Sequence, residues 1–248
     1  MIMLYNREMN RILLSSALAW MMTFLPGLSR AQSCLVTDDL RRAAGMFVSC
    51  GDPVMHQGHE YATVEIGGQC WFAVYVRFLP SVFPLEYLGI VAIAYVYGYS
   101  GTDVDEAMAL SAYQEYGVLY NHNAAVQWDV CPSGWHLSHH TEFYAMGEFL
   151  ASNEGGKLKA TGTLEGGDGL WSSPNTGATN ETGFSAKPGG YIHTSNGSFG
   201  VGLHAHFWTP ANAPGASKQG FALRHNSGSL HLQLDHQNSG KSVRCVLD

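Results

Sequence analysis

The chain has 248 residues and a formal net charge of −7; only 13% of it is charged, 29 residues are glycine and 12% are aromatic. An acidic chain with few, scattered lysines and arginines does not suit nucleic acid, which needs clustered cations. The glycine and aromatic content argues against a disordered chain and a helical bundle alike, and the length allows one domain with a sizeable core.

At the start of the chain, Arg7 and Arg11 precede a nearly unbroken apolar stretch from Ile12 to Leu28. Ser29 and Ala31 then place small residues three and one before Gln32, the order of a secretory signal peptide over residues 1–31. A membrane anchor competes with this reading, because the stretch is near the lower limit for a span. Pro26-Gly27 breaks the stretch where a cleavage region begins, which favours removal. Acylation of Cys34 is the weaker reading, since Gln32-Ser33 is a poor lipobox. Loss of the leader removes Arg7, Arg11 and Arg30 against Glu8 and leaves the rest more acidic, with no transmembrane span. Residues 32–49 are then an N-terminal extension, and residues 50–248 the domain.

All five cysteines lie beyond the leader, and none forms a Cys-x-x-Cys pair of the kind that zinc and redox sites favour. In an oxidising compartment the expectation is two disulfides and one cysteine left over. Pairing neighbours gives Cys50–Cys70 and Cys131–Cys245 with Cys34 unpaired, although the sequence alone leaves other pairings open.

Along the domain, residues 61–76 are rich in β-branched and aromatic side chains, with Gly67-Gly68 as a hairpin turn. The apolar run Leu88 to Tyr97 is too short to cross a bilayer and predicts a buried strand. Residues 103–116 predict a short helix through Ala107, Leu110 and Tyr113 or Gln114. A clearer helix is predicted over about His139 to Ala151, capped by Ser138, with Phe143, Met146 and Leu150 as its apolar stripe. From Gly155 onward, glycine, asparagine and serine separate short apolar pairs such as Leu170-Trp171 and Phe207-Trp208, which predicts brief antiparallel strands between long loops. The fold class is therefore α+β.

Several of these segments resemble, in order, the Fibrobacter succinogenes major paralogous domain family. They are Cys70-Trp71-Phe72-Ala73; Glu115-Tyr116-Gly117 with Leu119-Tyr120-Asn121 and Ala125-Val126; and Cys131-Pro132-Ser133-Gly134-Trp135-His136. Further on come Gly156-Lys157-Leu158-Lys159, residues 179–186, Pro188-Gly189-Gly190-Tyr191, and Ser242-Val243-Arg244-Cys245. The resemblance spans about Cys50 to Asp248. It implies a secreted or surface-attached bacterial domain with a C-type-lectin-like fold of small antiparallel sheets, two short helices and long loops. It also implies a distant architectural kinship with formylglycine-generating (sulfatase-modifying) enzymes, and a disulfide from mid-domain to the last strand, which fits Cys131–Cys245. The chain departs from the family pattern at Val74-Tyr75-Val76-Arg77, at His122 and over Ser138 to Phe143, so a family site there is open to drift.

Twelve histidines invite a search for metal ligands. His204 and His206 would share one face of a strand, His136 and His140 one face of a helix, and His231, Asp235 and His236 make a third group. None supplies three ligands locally, and surface or hydrogen-bonded histidines are the competing account. No cofactor is expected; a structural calcium around Glu165–Asp168 or Asn175–Glu181 is the alternative. No nucleophile elbow or phosphate loop stands out, since Gly166-Gly167-Asp168-Gly169 lacks the lysine and helix that a phosphate loop needs.

A non-enzymatic binding or adhesion module for a glycan or a surface protein is therefore expected, secreted or at the cell surface. Its ligand-binding candidates are Tyr191, His193, His204, His206 and Trp208, with Phe199 in the same region. The alternatives are a metal-dependent enzyme on the same scaffold and a purely structural surface protein. For each aromatic, core packing is the competing role.

Overall fold

The computed structural model describes residues 38, 42, 46–89, 91–194 and 197–248. The signal peptide, Cys34 and two thirds of the extension lie outside the described residues; Gly45–Asp248 cluster as one unit. Strands β1 (Val54–His56) and β2 (His59–Tyr61) make a small ribbon. Strands β3 (Thr63–Ile66) and β4 (Gln69–Phe72) form the hairpin expected at Gly67-Gly68. Both glycines have positive φ, 62° and 80°, which a two-residue turn matched to strand twist requires.

The apolar run at 88–97 differs from expectation: only β5 (Ala94–Tyr95) is a strand, paired with β6 (Leu119–Tyr120). The Asn121 side chain takes a neighbouring strand's place, accepting from Ile93 N at 3.0 Å and donating to Val91 O at 2.6 Å. The helix expected over 103–116 is two, α1 (Val104–Met108) and α2 (Ser111–Tyr116). Leu110 between them is extended (ψ 142°), and Tyr113 then reaches the core with its hydroxyl donating to Arg77 O at 2.8 Å. Helix α3 (His122–Gln127) is capped by Asn121.

Strand β7 (Trp135–Leu137) leads into α4 (His140–Leu150), which buries Phe143, Met146 and Leu150 as expected. The predicted cap does not hold. The N-cap is His139, whose N–H donates to Glu142 Oε2 at 2.6 Å, while Ser138 is buried and donates its own N–H to Arg244 O at 3.1 Å. Ser138 thus serves the chain's last segment instead of the helix. A further short helix, α5 (Glu154–Leu158), follows, so the described residues contain five short helices and not two.

Strands β8 (Gly189–His193), β9 (Gly197–Val201), β10 (His204–Asn212), β11 (Ser217–Arg224) and β12 (His231–His236) form a five-stranded sheet in the order β12-β11-β10-β8-β9. Its long members exceed the brief strands expected, β10 running to nine residues and β11 to eight. The β8–β10 contact is parallel, through Gly190 and Ala205. Leu170-Trp171 forms no strand; Trp171 is buried and donates its ring N–H to Ala186 O at 3.0 Å.

The last strand, β13 (Cys245–Leu247), inserts between β4 and β7 in a four-stranded sheet ordered β3-β4-β13-β7. Alternation along it sends Cys245 to one core and Val246 to the other. One core holds Phe72, Trp135 and Trp208; the other holds Trp71, the α4 stripe, Phe207 and Phe221. Both expected disulfides form, Cys50–Cys70 and Cys131–Cys245, with sequence separations of 20 and 114.

The approach to β13 is the most heavily buried segment of the fold. Gly240 exchanges both backbone hydrogen bonds with Ile192, and Lys241 exchanges both with Tyr120. Ser242 N donates to His206 O, while Ser242 O accepts from Trp208 N; Val243 O accepts from Val76 N. One extended segment therefore ties β6, β8 and β10 to the four-stranded sheet. Replacing Cys131 and Cys245 together by serine is expected to cost about 4–5 kcal/mol on the chain-entropy account, and replacing Cys50 and Cys70 about 3. Denaturant unfolding of the two double variants without reductant tests this: a larger loss at the shorter loop would contradict it.

Candidate functional site

Period-two alternation along β10 divides its side chains. Ala205 and Phe207 enter the core beneath α4, while His204, His206 and Trp208 take the opposite face. Cross-strand register adds Arg224 opposite His204 and Ala222 opposite His206 on β11, then His231 opposite Ala222 on β12. Tyr191 on β8 pairs with Phe199 on β9.

These neighbours form a cluster of rings. Tyr191 stacks on His206, with centroids 4.2 Å apart and planes 19° from parallel. Phe199 lies over His204 at 6.2 Å and meets Tyr191 edge-on at 5.8 Å. His204 and His206 stand 5.7 Å apart, and His193 meets the edge of Tyr191 at 6.1 Å. Phe199 is 47% exposed, whereas Tyr191, His193 and His204 are half-buried. His206 is 5% exposed. The Nδ1 atoms of His204 and His206 are buried without a hydrogen-bond partner, in contrast to the usual rule for buried polar atoms.

The electrostatics of this face follow from desolvation. Burial pushes His206 well below its ordinary pKa, with the charges of Lys241, His204 and Arg224 adding to the effect. His204 is lowered by burial and then by Arg224 and His225; His231 is lowered by burial and Arg224, with Glu154 opposing. All three are neutral imidazoles at pH 7, each keeping one lone pair and one N–H.

Trp208 occupies a different position from the other candidates. It is fully buried, donates its ring N–H to Tyr120 O at 2.8 Å and lies under Lys241 Nζ, 4.1 Å from the ring centroid. It has no exposed surface to offer a ligand. Lys241 is itself fully buried and ion-pairs with Asp235 at 2.6 Å. The sequence pattern gave no hint of that role for Lys241, nor of Arg224; their only signal is a cation beside small or apolar neighbours late in the chain.

The other histidine groups do not converge. His136 is held between two carboxylates, Asp248 Oδ1 at 2.7 Å from Nδ1 and Glu142 Oε1 at 2.8 Å from Nε2. His140 meets the edge of Tyr144 instead. His231 contacts Ser227 Oγ at 2.9 Å, and His236, an odd number of residues further along the strand, accepts from Asn238 N at 3.2 Å. Among the described residues, no group of three or more His, Cys, Asp or Glu is placed to hold a metal ion.

In the segments considered for calcium, the side chains engage the loop itself. Asp168 accepts from Thr163 N, Glu165 from Ser173 N, and Asn180 from Ser185 N. Asn175 donates to Ala160 O and Gly162 O.

The class defined by this architecture is a disulfide-bridged α+β domain of small, mostly antiparallel sheets with a ring-lined face. The chain matches the model of the Fibrobacter succinogenes major domain over residues 64–247 and belongs to that family. No curated protein and no solved structure matches it.

Two outcomes follow from these contacts. Lys241→Met leaves the Asp235 carboxylate without its buried partner and is expected to cost about 3–5 kcal/mol; the double variant with Asp235→Leu should recover much of this. Equal losses in single and double variants, measured by urea unfolding, would contradict that coupling. At His136 burial acts to lower the pKa, but the hydrogen bonds and charges of Asp248 and Glu142 outweigh it, so the net shift is upward. The stabilisation is then complete below the unfolded value of about 6.5 and is lost as pH rises through the higher folded value. The stability advantage of wild type over His136→Gln should therefore shrink from pH 6 to pH 9; an advantage that grows would reverse the assignment.

Proposed function

We propose that this protein is a secreted or cell-surface, non-enzymatic binding module with a C-type-lectin-like fold, and that it takes a glycan on the face formed by Tyr191, Phe199, His193 and His204. The observation that carries this reading is a contiguous set of part-exposed rings, His204 among them, backed by the buried His206, with the Nδ1 atoms of both imidazoles unpartnered. Aromatic faces stack on the apolar face of a sugar ring, and neutral imidazoles donate to or accept from its hydroxyls. Strands hold the platform, so little ordering entropy opposes binding.

Further support comes from the cysteines. Two disulfides suit an oxidising, extracellular setting, and among the described residues no helix is long and apolar enough to cross a membrane. The distant kinship with sulfatase-modifying enzymes carries no chemistry into this reading: Cys50, Cys70, Cys131 and Cys245 are joined to one another and are not free thiols.

The test is a glycan array probed with the full secreted chain, followed by calorimetry on the sugars that bind. Tyr191→Ala is expected to weaken binding by about tenfold, the equivalent of roughly 1.4 kcal/mol. A wild-type chain that binds no glycan overturns the reading in favour of a protein ligand or a structural role.

A further inference from the structure

Among the described residues, the ring-lined face carries one cation that no carboxylate pairs with. Arg224 is half-buried at the end of β11, directly across from His204, and no ion pair among the described residues engages it. Two acidic groups that act on this face, Asp235 on Tyr191 and Glu154 on His231, are already engaged. Asp235 is paired with Lys241, and Glu154 Oε1 accepts from Leu230 N at 3.0 Å. A third cation, Lys159, lies fully buried behind the same strand end, with Nζ donating to the carbonyls of Thr176, Arg224 and Ser227 and to no carboxylate. A chain of net charge −7 thus holds a local excess of positive charge beside its aromatic platform.

We propose that the ligand is an acidic sugar, a uronic-acid glycan whose carboxylate is bound by Arg224 while its ring lies against Tyr191 and Phe199. This deepens the binding reading above and rests on it. A guanidinium presents a planar fork that matches a carboxylate through two parallel hydrogen bonds. Cross-strand partners hold their Cβ atoms about 5 Å apart, so Arg224 and the His204 ring share one small surface. The His204 ring in turn lies 6.4 Å from Tyr191 and 6.2 Å from Phe199. One sugar residue can therefore meet an aromatic face and the guanidinium together. The neighbouring imidazoles favour the same arrangement: held neutral, they can donate to or accept from hydroxyls without competing with Arg224 for the negative charge. A neutral sugar would cover Arg224 without pairing it, which costs desolvation with no compensating bond.

The experiment compares tri-uronic-acid oligosaccharides, of galacturonic and of glucuronic acid, with their methyl esters, which keep the ring and remove the charge. Calorimetry on the full secreted chain should show the acids binding about tenfold more tightly than the esters, the scale of a charge-assisted hydrogen bond. Arg224→Gln should abolish that difference by weakening the acids and leaving the esters within about twofold, and Arg224→Lys should recover part of it. Tyr191→Ala should weaken acids and esters alike. Esters that bind as well as acids to wild type overturn the acidic-sugar proposal and leave the glycan reading standing. Binding of neutral glycans on the array but of neither oligomer in either form has the same meaning. Failure of every glycan overturns both. The wild-type comparison of acid with ester needs no variant, so a poorly folding Arg224→Gln does not rescue the proposal.

Discussion

The fold depends on burying one polar stretch of chain, residues 238–246, through its middle. Extended backbone in a core is tolerable only if its N–H and C=O groups are paired. Here the pairing is distributed: Gly240 bonds to β8, Lys241 to β6, Ser242 to β10, Val243 to the chain after β4, and Arg244 to Ser138. No single sheet could satisfy the segment, so the short elements are brought together around it. Small residues make this possible. A Cβ on Gly240 would come within 2.7 Å of Ile192, so the close approach to β8 needs glycine at that point.

Two of the buried residues are cations, and they are stabilised by different means. Arg244 lies between the rings of Tyr75 and Phe184, its Cζ 4.5 and 4.3 Å from their centroids, and donates to Phe72 O at 2.7 Å. Burial lowers its pKa to about 10, opposed by Tyr75, and it remains charged at neutral pH. Lys241 sits over Trp208 with a carboxylate partner in Asp235. Buried charges of this kind add little net stability compared with apolar residues, because desolvation offsets most of the attraction. What they supply is register: slipping the segment by one residue would put Lys241 and Arg244 where no aromatic face or carboxylate awaits them.

This explains which parts of the structure were legible in the sequence. The Gly67-Gly68 hairpin, the α4 stripe and both disulfides are local or combinatorial signals, set by turn chemistry, helical period and the small number of cysteines. The break at Leu110 and the replacement of a strand neighbour by Asn121 are tertiary effects, with no periodicity to announce them. At the site, alternation correctly put His204 and His206 on one face, but it could not separate His204, half-buried beside Phe199, from Trp208, sealed under Lys241. Arg224 was invisible for a similar reason. Its significance lies in having no ion-pair partner among the described residues, and that is a property of the surrounding strands.

The contrast between net charge and local charge has a physical basis. At physiological salt the Debye length is about 8 Å, so carboxylates spread over the surface act weakly on a group more than that distance away. A half-buried guanidinium acts at contact distance in a medium of lower effective dielectric, where each interaction is several times stronger than in water. An acidic net charge therefore does not forbid an anionic ligand: a bound anion would be favoured only where a cation has no carboxylate partner, as Arg224 has none among the described residues. In this chain that place adjoins the exposed rings, because the register that sets Arg224 across from His204 also brings His204 beneath Phe199 and beside Tyr191. The same strand pairing supplies both the stacking surface and the charge, and the buried segment beneath it keeps that pairing fixed.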